Sequence, residues 1–310
     1  MSLRIGFIGL GGLGTPIANN LAASLKSPLV VFNRTAAKYQ DLAEPSHYQV
    51  AESVEKVAED ADVVFTCLIN DEACVDIYSK LFAGAKALGK KVIGADHSTV
   101  LPATAAKLEA LAKEHGCVYL GCPLWGTPPV AKAAQLLLVV SGDPESKKIV
   151  SDILKPAVGK AIIDAGDEAS KGVTLKLVGN STIFGTIELL AETYTLADKI
   201  GLDASVVHSF VDQWHHSPSW MNYSHRISTG TFDSSAGFPL YGAMKDVRHI
   251  LSLDPDFKMP TMERVLVNME KGVELGGDKM DGSSIAAVMR QENGLEPFKE
   301  GSDGGKSKPL

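Results

Sequence analysis

The sequence predicts a two-part fold: an α/β N-terminal domain with a mostly parallel sheet, then an all-α C-terminal domain, joined by a long interdomain helix. Two observations lead to this fold class. Between Leu3 and about Gly166, nearly continuous apolar runs alternate with helical patterns, whereas the segments after Ala169 are helical. Continuous apolar runs are typical of strands buried on both faces of a parallel sheet, and their alternation with helices predicts a doubly wound domain.

The first domain is predicted over residues 1–166, with each strand a short run of β-forming residues and each helix a segment of helical periodicity. The predicted strands cover residues 4–10, 29–33, 62–69, 91–96, 117–121, 136–142 and 161–166. The predicted helices cover residues 15–26, 36–44, 53–60, 73–88, 102–115 and 145–154.

The second domain is predicted over residues 167–295 and begins with a helix over about residues 169–200, a stretch without proline. A helix of that length can bridge domains or subunits. Further helices are predicted near residues 203–214, 239–253, 260–274 and 283–292. The Gly/Ser/Lys-rich residues 296–310 are predicted to form a disordered tail.

Composition excludes several classes of protein. The chain of 310 residues has 30 Lys and Arg against 37 Asp and Glu, a net charge of −7 without a basic run, which argues against nucleic-acid or anionic-membrane binding. No apolar window reaches the roughly 18 residues of a membrane span. The four cysteines show neither CxxC nor Cys/His ligand spacing, and the N-terminus resembles a strand rather than a signal peptide. We therefore expect a cytoplasmic protein without a structural metal.

A glycine-rich loop follows the first strand and opens the first helix. It reads Gly9-Leu10-Gly11-Gly12-Leu13-Gly14, which is a GxGxxG pattern. Its glycines permit a tight turn, a close approach of the pyrophosphate to the backbone, and close packing of helix on strand, and the helix N-terminus favours the phosphates. In this context the loop predicts a Rossmann-type dinucleotide site.

The end of the second strand indicates which dinucleotide is bound. An NAD site would carry an Asp or Glu there for the ribose 2′-hydroxyl, whereas this chain has Asn33-Arg34-Thr35. A guanidinium pairs with a 2′-phosphate and a threonine hydroxyl adds a donor, so the sequence favours NADP(H). The alternative is that Arg34 is a solvated loop residue and Asn33 a turn former.

Several ordered motifs resemble the β-hydroxyacid dehydrogenase family, which includes 3-hydroxyisobutyrate dehydrogenases and shares the dinucleotide-binding domain of 6-phosphogluconate dehydrogenase. The resemblance covers about residues 3–295. Beside the glycine loop, its motifs are Cys67-Leu68-Ile69-Asn70, Asp96-His97-Ser98-Thr99, Lys176-Leu177-Val178-Gly179-Asn180 and Lys245-Asp246. The resemblance implies that Leu68, Ile69, Asn70, Thr99 and Lys245 contact the cofactor and that Ser98 lies by the substrate.

Lys176 and Asn180 are the candidate catalytic pair. They are four residues apart and so share one face of the long helix. In a carbonyl reduction an ammonium can protonate the oxygen while the amide holds the oxygen or the lysine, and partial burial lowers the pKa of a lysine towards the working range. The alternative is a solvated helix lysine. Together with the resemblance, the pair predicts an NADP(H)-dependent oxidoreductase that interconverts a β-hydroxy acid or related alcohol and its aldehyde or ketone.

The chain departs from the family at Trp125-Gly126-Thr127, where the family has Ser-Gly-Gly that holds a substrate carboxylate. A bulky indole replaces a small donor, so we expect recognition to differ, although Gly126, Thr127 and the backbone amides can still receive an anion, which leaves a carboxylate substrate open. Trp125 could instead pack against the sheet. Aromatic residues at 214–221 and 238–241 are expected to pack in the helical core, with an apolar substrate pocket as the alternative, and His97 is expected on the surface.

Two other functions compete with a dehydrogenase. An imine reductase of the related superfamily resembles this chain in the glycine loop, the Asn-Arg-Thr and the long helix, and Trp125 and Thr127 favour it, but Lys176 counts against it. A non-catalytic NADP-binding module would be expected to lack Lys176 or Asn180, and both are present. The long helix and the resemblance predict a homodimer.

Overall fold

A computed structural model describes residues 3–233, 235 and 237–302. The chain divides into two compact units, Met1–Lys176 and Leu177–Leu310. The first combines strands with helices, and the described residues of the second are helical apart from turns and isolated bridges. The boundary between the units falls inside the predicted long helix rather than before it at residue 166.

The secondary structure of the first unit follows the predicted alternation. Its strands are β1 (Ile5–Ile8), β2 (Leu29–Phe32), β3 (Tyr48–Val50), β4 (Val63–Thr66), β5 (Ile93–Asp96), β6 (Val118–Gly121), β7 (Leu124–Trp125), β8 (Leu136–Val140) and β9 (Gly159–Asp164). Its helices are α1 (Gly14–Ser24), α2 (Val54–Asp60), α3 (Asp71–Ala87), α4 (Pro102–Glu114), α5 (Pro128–Lys132) and α6 (Pro144–Ala157).

Strands β1 to β6 form a six-stranded parallel sheet, which confirms the predicted fold class. The strand order is β3-β2-β1-β4-β5-β6. In register, Phe7 of β1 pairs with Val31 of β2 on one side and with Phe65 of β4 on the other. The order therefore reverses between β1 and β4, and open α/β sheets bind ligands at the carboxyl ends of the strands on either side of such a reversal.

The three remaining strands form a second sheet in the order β7-β8-β9. Strand β7 is antiparallel to β8, and β8 is parallel to β9. An antiparallel bridge between Gly121 and Ser141 joins this sheet to the end of β6. Two of the predicted strands, those at 136–142 and 161–166, thus lie outside the main sheet.

The main sheet is buried on both faces, which explains its continuous apolar runs. Phe7 and Phe65 lie in one core with α1 and α6, whereas Ile8 and Val64, on the opposite face, lie in another core with α2, α3 and α4. Because successive side chains of a strand point to opposite faces, all four are buried. Each contributes about 1.5–3 kcal/mol of apolar burial to folding.

The second unit is built around a long helix. Helix α7 spans Ala169–Lys199, which agrees with the predicted 169–200, and α8 (Ala204–Trp214), α9 (Pro218–Thr229), α10 (Leu240–Ser252), α11 (Pro260–Gly276) and α12 (Ile285–Glu292) follow. From Leu177 onwards, α7 packs with the later helices around one apolar core. Among the described residues no helix has the length and apolar character that a membrane crossing requires.

Some local predictions differ from the structure. Residues 36–44 form only a short 3₁₀ helix at Ala36–Asp41, and β3, β7, α5 and α9 were not predicted. Of the predicted disordered tail, residues 303–310 lie outside the described residues. Residues 296–302 pack on the helical unit: the Phe298 ring lies 6.2 Å from that of Phe232, and Ser302 Oγ donates to the Gly230 carbonyl at 2.8 Å.

Candidate active site

The glycine loop occupies the carboxyl end of β1, at the reversal of the sheet. Gly9 adopts φ +102°, and a Cβ there would lie 2.3 Å from the Cys67 carbonyl oxygen. A Cβ on Gly14 would lie 1.9 Å from the Gly9 carbonyl oxygen, so both positions require glycine. Gly11 and Gly12 are exposed, and a Cβ on either would meet no atom within 4 Å. The loop thus has a closely packed base and an open rim that fits a pyrophosphate against bare backbone.

The end of β2 is fastened to this loop by Asn33. Its Oδ1 accepts from the Leu10 amide at 2.9 Å, and its Nδ2 donates to the Thr35 carbonyl at 2.9 Å. Arg34 and Thr35 are exposed, and among the described residues the Arg34 guanidinium makes no hydrogen bond or ion pair. Asn33 therefore fastens the glycine loop to the end of β2, whereas the Arg34 and Thr35 side chains are exposed.

Two side chains that follow β4 and β5, and that the family resemblance assigns to ligands, form hydrogen bonds to neighbouring backbone. Ser98 Oγ accepts from the Leu68 amide at 2.8 Å, and Ser98 is buried. Asn70 Oδ1 accepts from the Ala73 amide at 3.0 Å and caps α3. Ile69, in contrast, is 62% exposed and is the residue of this loop with most surface available to a cofactor. Thr99 is half-buried at the end of the next loop.

The buried Asp96 carboxylate accepts hydrogen bonds from three groups at this edge of the sheet. Its Oδ1 accepts from Thr66 Oγ1 at 2.7 Å and from the Ser98 amide at 2.9 Å, and its Oδ2 accepts from the Tyr119 hydroxyl at 3.0 Å. Burial, with the Asp96 charge, raises the pKa of the Tyr119 hydroxyl far above its usual range, so that hydroxyl stays a donor. The carboxylate is fully hydrogen-bonded, which a buried charge requires.

His97 is buried rather than on the surface as the sequence predicts. Its ring stacks on Phe65 with an interplanar angle of 4°, and Nδ1 lies 2.7 Å from the Cys122 carbonyl oxygen. Burial lowers the pKa of His97, so the ring is neutral with Nδ1 as donor. Its Nε2 has no hydrogen-bond partner among the described residues. His97 thereby anchors the chain segment that leads to Trp125.

Lys176 and Trp125 are brought together by the fold. Lys176 is 9% exposed near the start of α7, and its Nζ lies 4.9 Å from the centroid of the Trp125 ring. That distance is within the range of a cation–π interaction. Lys176 is thus not a solvated helix lysine, and Trp125 does more than cover the sheet. Of the two residues that follow Trp125, Gly126 is exposed and Thr127 is half-buried.

In the helical unit Asp246 holds two further predicted residues. Asn180 Nδ2 donates to Asp246 Oδ2 at 2.8 Å, and Lys245 Nζ lies 2.9 Å from Asp246 Oδ1. Asn180 lies one turn of α7 beyond Lys176. Sequence reasoning named Asp246 only as the neighbour of Lys245, because a pairing between two helices 66 residues apart leaves no mark on either segment.

The aromatic residues of the helical unit are only partly in its core. Phe238 and Trp220 pack against it, but Trp214 is 76% exposed, contrary to the expectation of core packing. His215 stacks on Trp220 with ring centroids 4.2 Å apart. Within the described ranges no group of three or more His, Cys, Asp and Glu side chains is arranged to hold a metal ion.

Comparison with known proteins agrees with this geometry. Residues 4–166 match the family model described as the NAD binding domain of 6-phosphogluconate dehydrogenase. An uncharacterized oxidoreductase, YfjR, from Bacillus subtilis is 27% identical over 290 residues, which is 93% of this chain and 100% of the relative.

Solved structures give similar matches. Mycobacterium tuberculosis 3-hydroxyisobutyrate dehydrogenase with L-serine superposes with a TM-score of 0.78 at 25% identity, over 94% of this chain and 100% of that one. Psf3 in complex with NADP+ and 2-OPP gives 0.81 at 25% identity, over 92% and 99%. A reductive aminase from Aspergillus terreus gives 0.60 at 19% identity, over 94% and 100%, and shares the fold.

Proposed function

Because this chain belongs to the β-hydroxyacid dehydrogenase family and is an oxidoreductase with a nicotinamide-dinucleotide-binding domain, we propose that it reduces a carbonyl compound with NADPH. The reverse reaction oxidises a β-hydroxy acid or related alcohol with NADP+. The observation that carries the proposal is the buried Lys176 side chain, whose Nζ lies against the Trp125 ring.

The proposed preference for NADPH over NADH rests on the residues at the end of β2. Asn33-Arg34-Thr35 offers a guanidinium and a hydroxyl where an NAD site would have a carboxylate. The open rim at Gly11 and Gly12 fits the pyrophosphate. Ile69, Thr99 and, in the helical unit, Lys245 remain proposed cofactor contacts, as do Leu68 and Asn70 through their backbone.

Titration calorimetry tests the cofactor preference. Arg34→Ala should weaken NADPH binding by about 10–100-fold, because a charge-assisted bidentate pair is lost, and should leave NADH binding unchanged. Lys38→Ala, which removes a nearby lysine that is ion-paired with Asp41 at 3.6 Å, is the matched control. An equal loss for both cofactors would contradict the assignment.

In the proposed reaction Lys176 handles the proton. When bound at the glycine loop, NADPH would supply the hydride, two electrons with one proton, that the carbonyl carbon receives. The Lys176 ammonium donates a proton to the carbonyl oxygen, which becomes the hydroxyl, and the neutral amine regains a proton from water. In the oxidative direction the neutral amine accepts the hydroxyl proton, while the amide of Asn180, held by Asp246, is positioned one turn further along α7.

Steady-state kinetics with NADPH and a panel of carbonyl compounds tests the role of Lys176. Lys176→Ala should reduce kcat by about 10²–10⁴-fold, the usual contribution of general acid catalysis, with NADPH affinity preserved. Lys171→Ala removes an exposed lysine from the same helix and should have little effect. Retained turnover in Lys176→Ala would exclude the lysine as the acid.

An imine reductase is the second candidate, favoured by Trp125 and by the shared fold with a reductive aminase. Cyclic imines in the same panel separate the two functions, since an iminium already carries positive charge and needs less acid help from Lys176. A non-catalytic module would bind NADPH and turn over none of the compounds.

We further propose that the chain forms a homodimer in the cytoplasm. Val206, Phe210 and Trp214 recur at four-residue spacing along α8, and each is more than half exposed. Such an apolar stripe is typical of an interaction surface, and a second copy is the partner that the long helix already predicts. Sedimentation should give twice the 32.9 kDa monomer mass, and Phe210→Glu should shift it towards the monomer.

A further inference from the structure

The segment that carries Trp125 has a fixed backbone. The Val139 amide donates to the Pro123 carbonyl at 2.9 Å, the Cys122 amide donates to the Asp96 carbonyl at 2.8 Å, and His97 Nδ1 lies 2.7 Å from the Cys122 carbonyl oxygen. Leu124 points into the core, so its neighbour Trp125, at the next position of the strand, faces the other way. The indole therefore has a defined position against Lys176.

The indole changes what the Lys176 ammonium offers to a substrate. An ammonium open to the substrate attracts a carboxylate, but here the cation lies 4.9 Å from an aromatic centroid and only 9% of the residue is exposed. The ring satisfies part of the positive charge without supplying a hydrogen-bond donor for an anion. The same ring also presents apolar surface.

The residues after Trp125 are poor in donors as well. Pro128 and Pro129 open α5, so two amides of its first turn are absent. Gly126 adopts φ +148°, and a Cβ there would lie 2.4 Å from Leu136 Cδ2, so that position cannot supply a donor side chain. Two backbone amides and the Thr127 hydroxyl remain, without a full positive charge. A carboxylate placed there would gain little beyond what water already gives it.

We infer that Trp125 and the double proline select uncharged carbonyl substrates, those without a carboxylate, and that the Trp125 ring positions the Lys176 ammonium for them. This inference rests on the proposed carbonyl reduction and specifies its substrate class. Trp125 is thus a specificity-determining residue as well as a positioning residue.

The test compares a matched pair of substrates, 4-oxobutanoate and its methyl ester, with NADPH and the full-length enzyme. The wild-type kcat/KM should be higher for the ester by about tenfold or more, because the acid brings an uncompensated charge to the site. Trp125→Ser should lower that ratio by about tenfold, whereas Trp125→Phe, which keeps an aromatic face, should preserve it. Melting temperature and NADPH binding establish that each variant folds.

The pH profile of kcat tests whether the Trp125 ring positions the Lys176 ammonium. In Trp125→Ser the alkaline limb of the kcat profile should move to lower pH, because the ammonium has lost the ring that favours it, and in Trp125→Phe it should stay in place. If Trp125→Ser does not fold, Trp125→Met serves as the second variant without a ring.

The outcomes separate the two proposals. A wild-type preference for the acid, or an ester-to-acid ratio unchanged in Trp125→Ser, would overturn the inference while leaving carbonyl reduction intact. Failure of the wild-type enzyme to reduce either compound or any member of the wider carbonyl panel would overturn the proposed function, and the inference with it.

Discussion

The glycines between β1 and α1 differ in how much room surrounds them. Gly14 packs its α-carbon against the Gly9 carbonyl, and Gly9 adopts a left-handed conformation against the Cys67 carbonyl. Gly11 and Gly12 have open space where a side chain would lie. Gly9 and Gly14 are therefore required by the fold, whereas Gly11 and Gly12 leave space for a ligand.

Gly14→Ala should lower the free energy of unfolding by about 3 kcal/mol, because a Cβ 1.9 Å from a backbone oxygen forces the loop to move. The gain in helix propensity, about 1 kcal/mol, offsets only part of this loss. Gly12→Ala should fold normally and weaken NADPH binding by about tenfold or more. Urea unfolding and calorimetry measure the two effects, and a stable Gly14→Ala protein would contradict the packing argument.

Glu188 is a buried carboxyl in the helical unit that the proposed chemistry does not use. Its Oε1 accepts from Asn268 Nδ2 at 2.5 Å, Arg264 Nε lies 4.0 Å away, and Glu192 and Glu292 add negative charge. Burial, then the charge of Glu192, raises its pKa to about 7 from an ordinary 4.5. The folded state therefore holds this proton over a pH range in which the unfolded chain has released it.

The raised pKa of Glu188 makes the free energy of unfolding depend on pH. Between about pH 4.5 and 7 the folded state binds more protons, so Glu188 makes the free energy of unfolding fall as the pH rises. Glu188→Gln should remove this contribution and stabilise the protein at pH 8 by on the order of 1–3 kcal/mol. The new amide can donate to Asn268 Oδ1, which lacks a hydrogen-bond partner among the described residues. Glu274→Gln, an exposed change on α11, is the control, and equal effects would contradict the assignment.

The sequence motifs do not describe what each polar side chain does. Arg34 is exposed after β2 and Lys176 lies against the Trp125 ring, whereas the Asn33, Asn70 and Ser98 side chains bond to neighbouring backbone. A motif records that a polar residue belongs at a position. It does not distinguish a ligand contact from a cap, because both use the same donors and acceptors.

At the scale of elements, the N-terminal end of α7 is held by one hydroxyl. Ser141 Oγ accepts from the Gly172 amide at 3.0 Å and lies 2.9 Å from the Ala169 carbonyl oxygen and 3.0 Å from that of Gly121. Ser141 is fully buried at the end of β8. It thus couples the bridge between the two sheets to the helix that carries Lys176.

Ser141→Ala should lower the free energy of unfolding by about 1–3 kcal/mol, since a buried amide and carbonyl lose their partner. Ser46→Ala removes an exposed hydroxyl from the same unit and should change stability by less than about 0.5 kcal/mol. Chemical denaturation of both variants gives the comparison. A neutral Ser141→Ala would show that the hydroxyl is replaceable, for instance by water.

The main elements are predictable because burial on two faces leaves a strong apolar signal. The elements that the sequence does not predict have weak signals of their own. Strand β3 has three residues and β7 has two, and their pairing depends on neighbours distant in sequence. Helix α9 carries local signals at both ends, Ser217 before Pro218 and the left-handed Gly230, but its many polar residues leave a weak apolar pattern between them.

At the scale of the whole molecule, the order of the domains is predictable and their boundary is not. Composition changes from strand-rich to helical near residue 169, yet the compact units meet at Lys176 and Leu177. The helical periodicity of α7 is uninterrupted there, because its apolar residues pack first with the nucleotide unit, as Val173 does, and then with the helical unit, as Leu177 does. A periodic pattern does not reveal which core it serves.

The four cysteines all belong to the first unit, and the second has none. Cys74, Cys117 and Cys122 are buried, Cys67 is half-buried, and burial raises the pKa of each thiol, that of Cys67 to about 12. The reactive thiolate is therefore scarce until the nucleotide unit opens. The rate of labelling by a disulfide reagent then measures the opening of that unit, while fluorescence of a Trp125→Phe variant, which keeps Trp214 and Trp220, follows the other unit. Saturating NADPH should slow labelling in proportion to its concentration over Kd, and labelling as fast as in an unfolded peptide would contradict this.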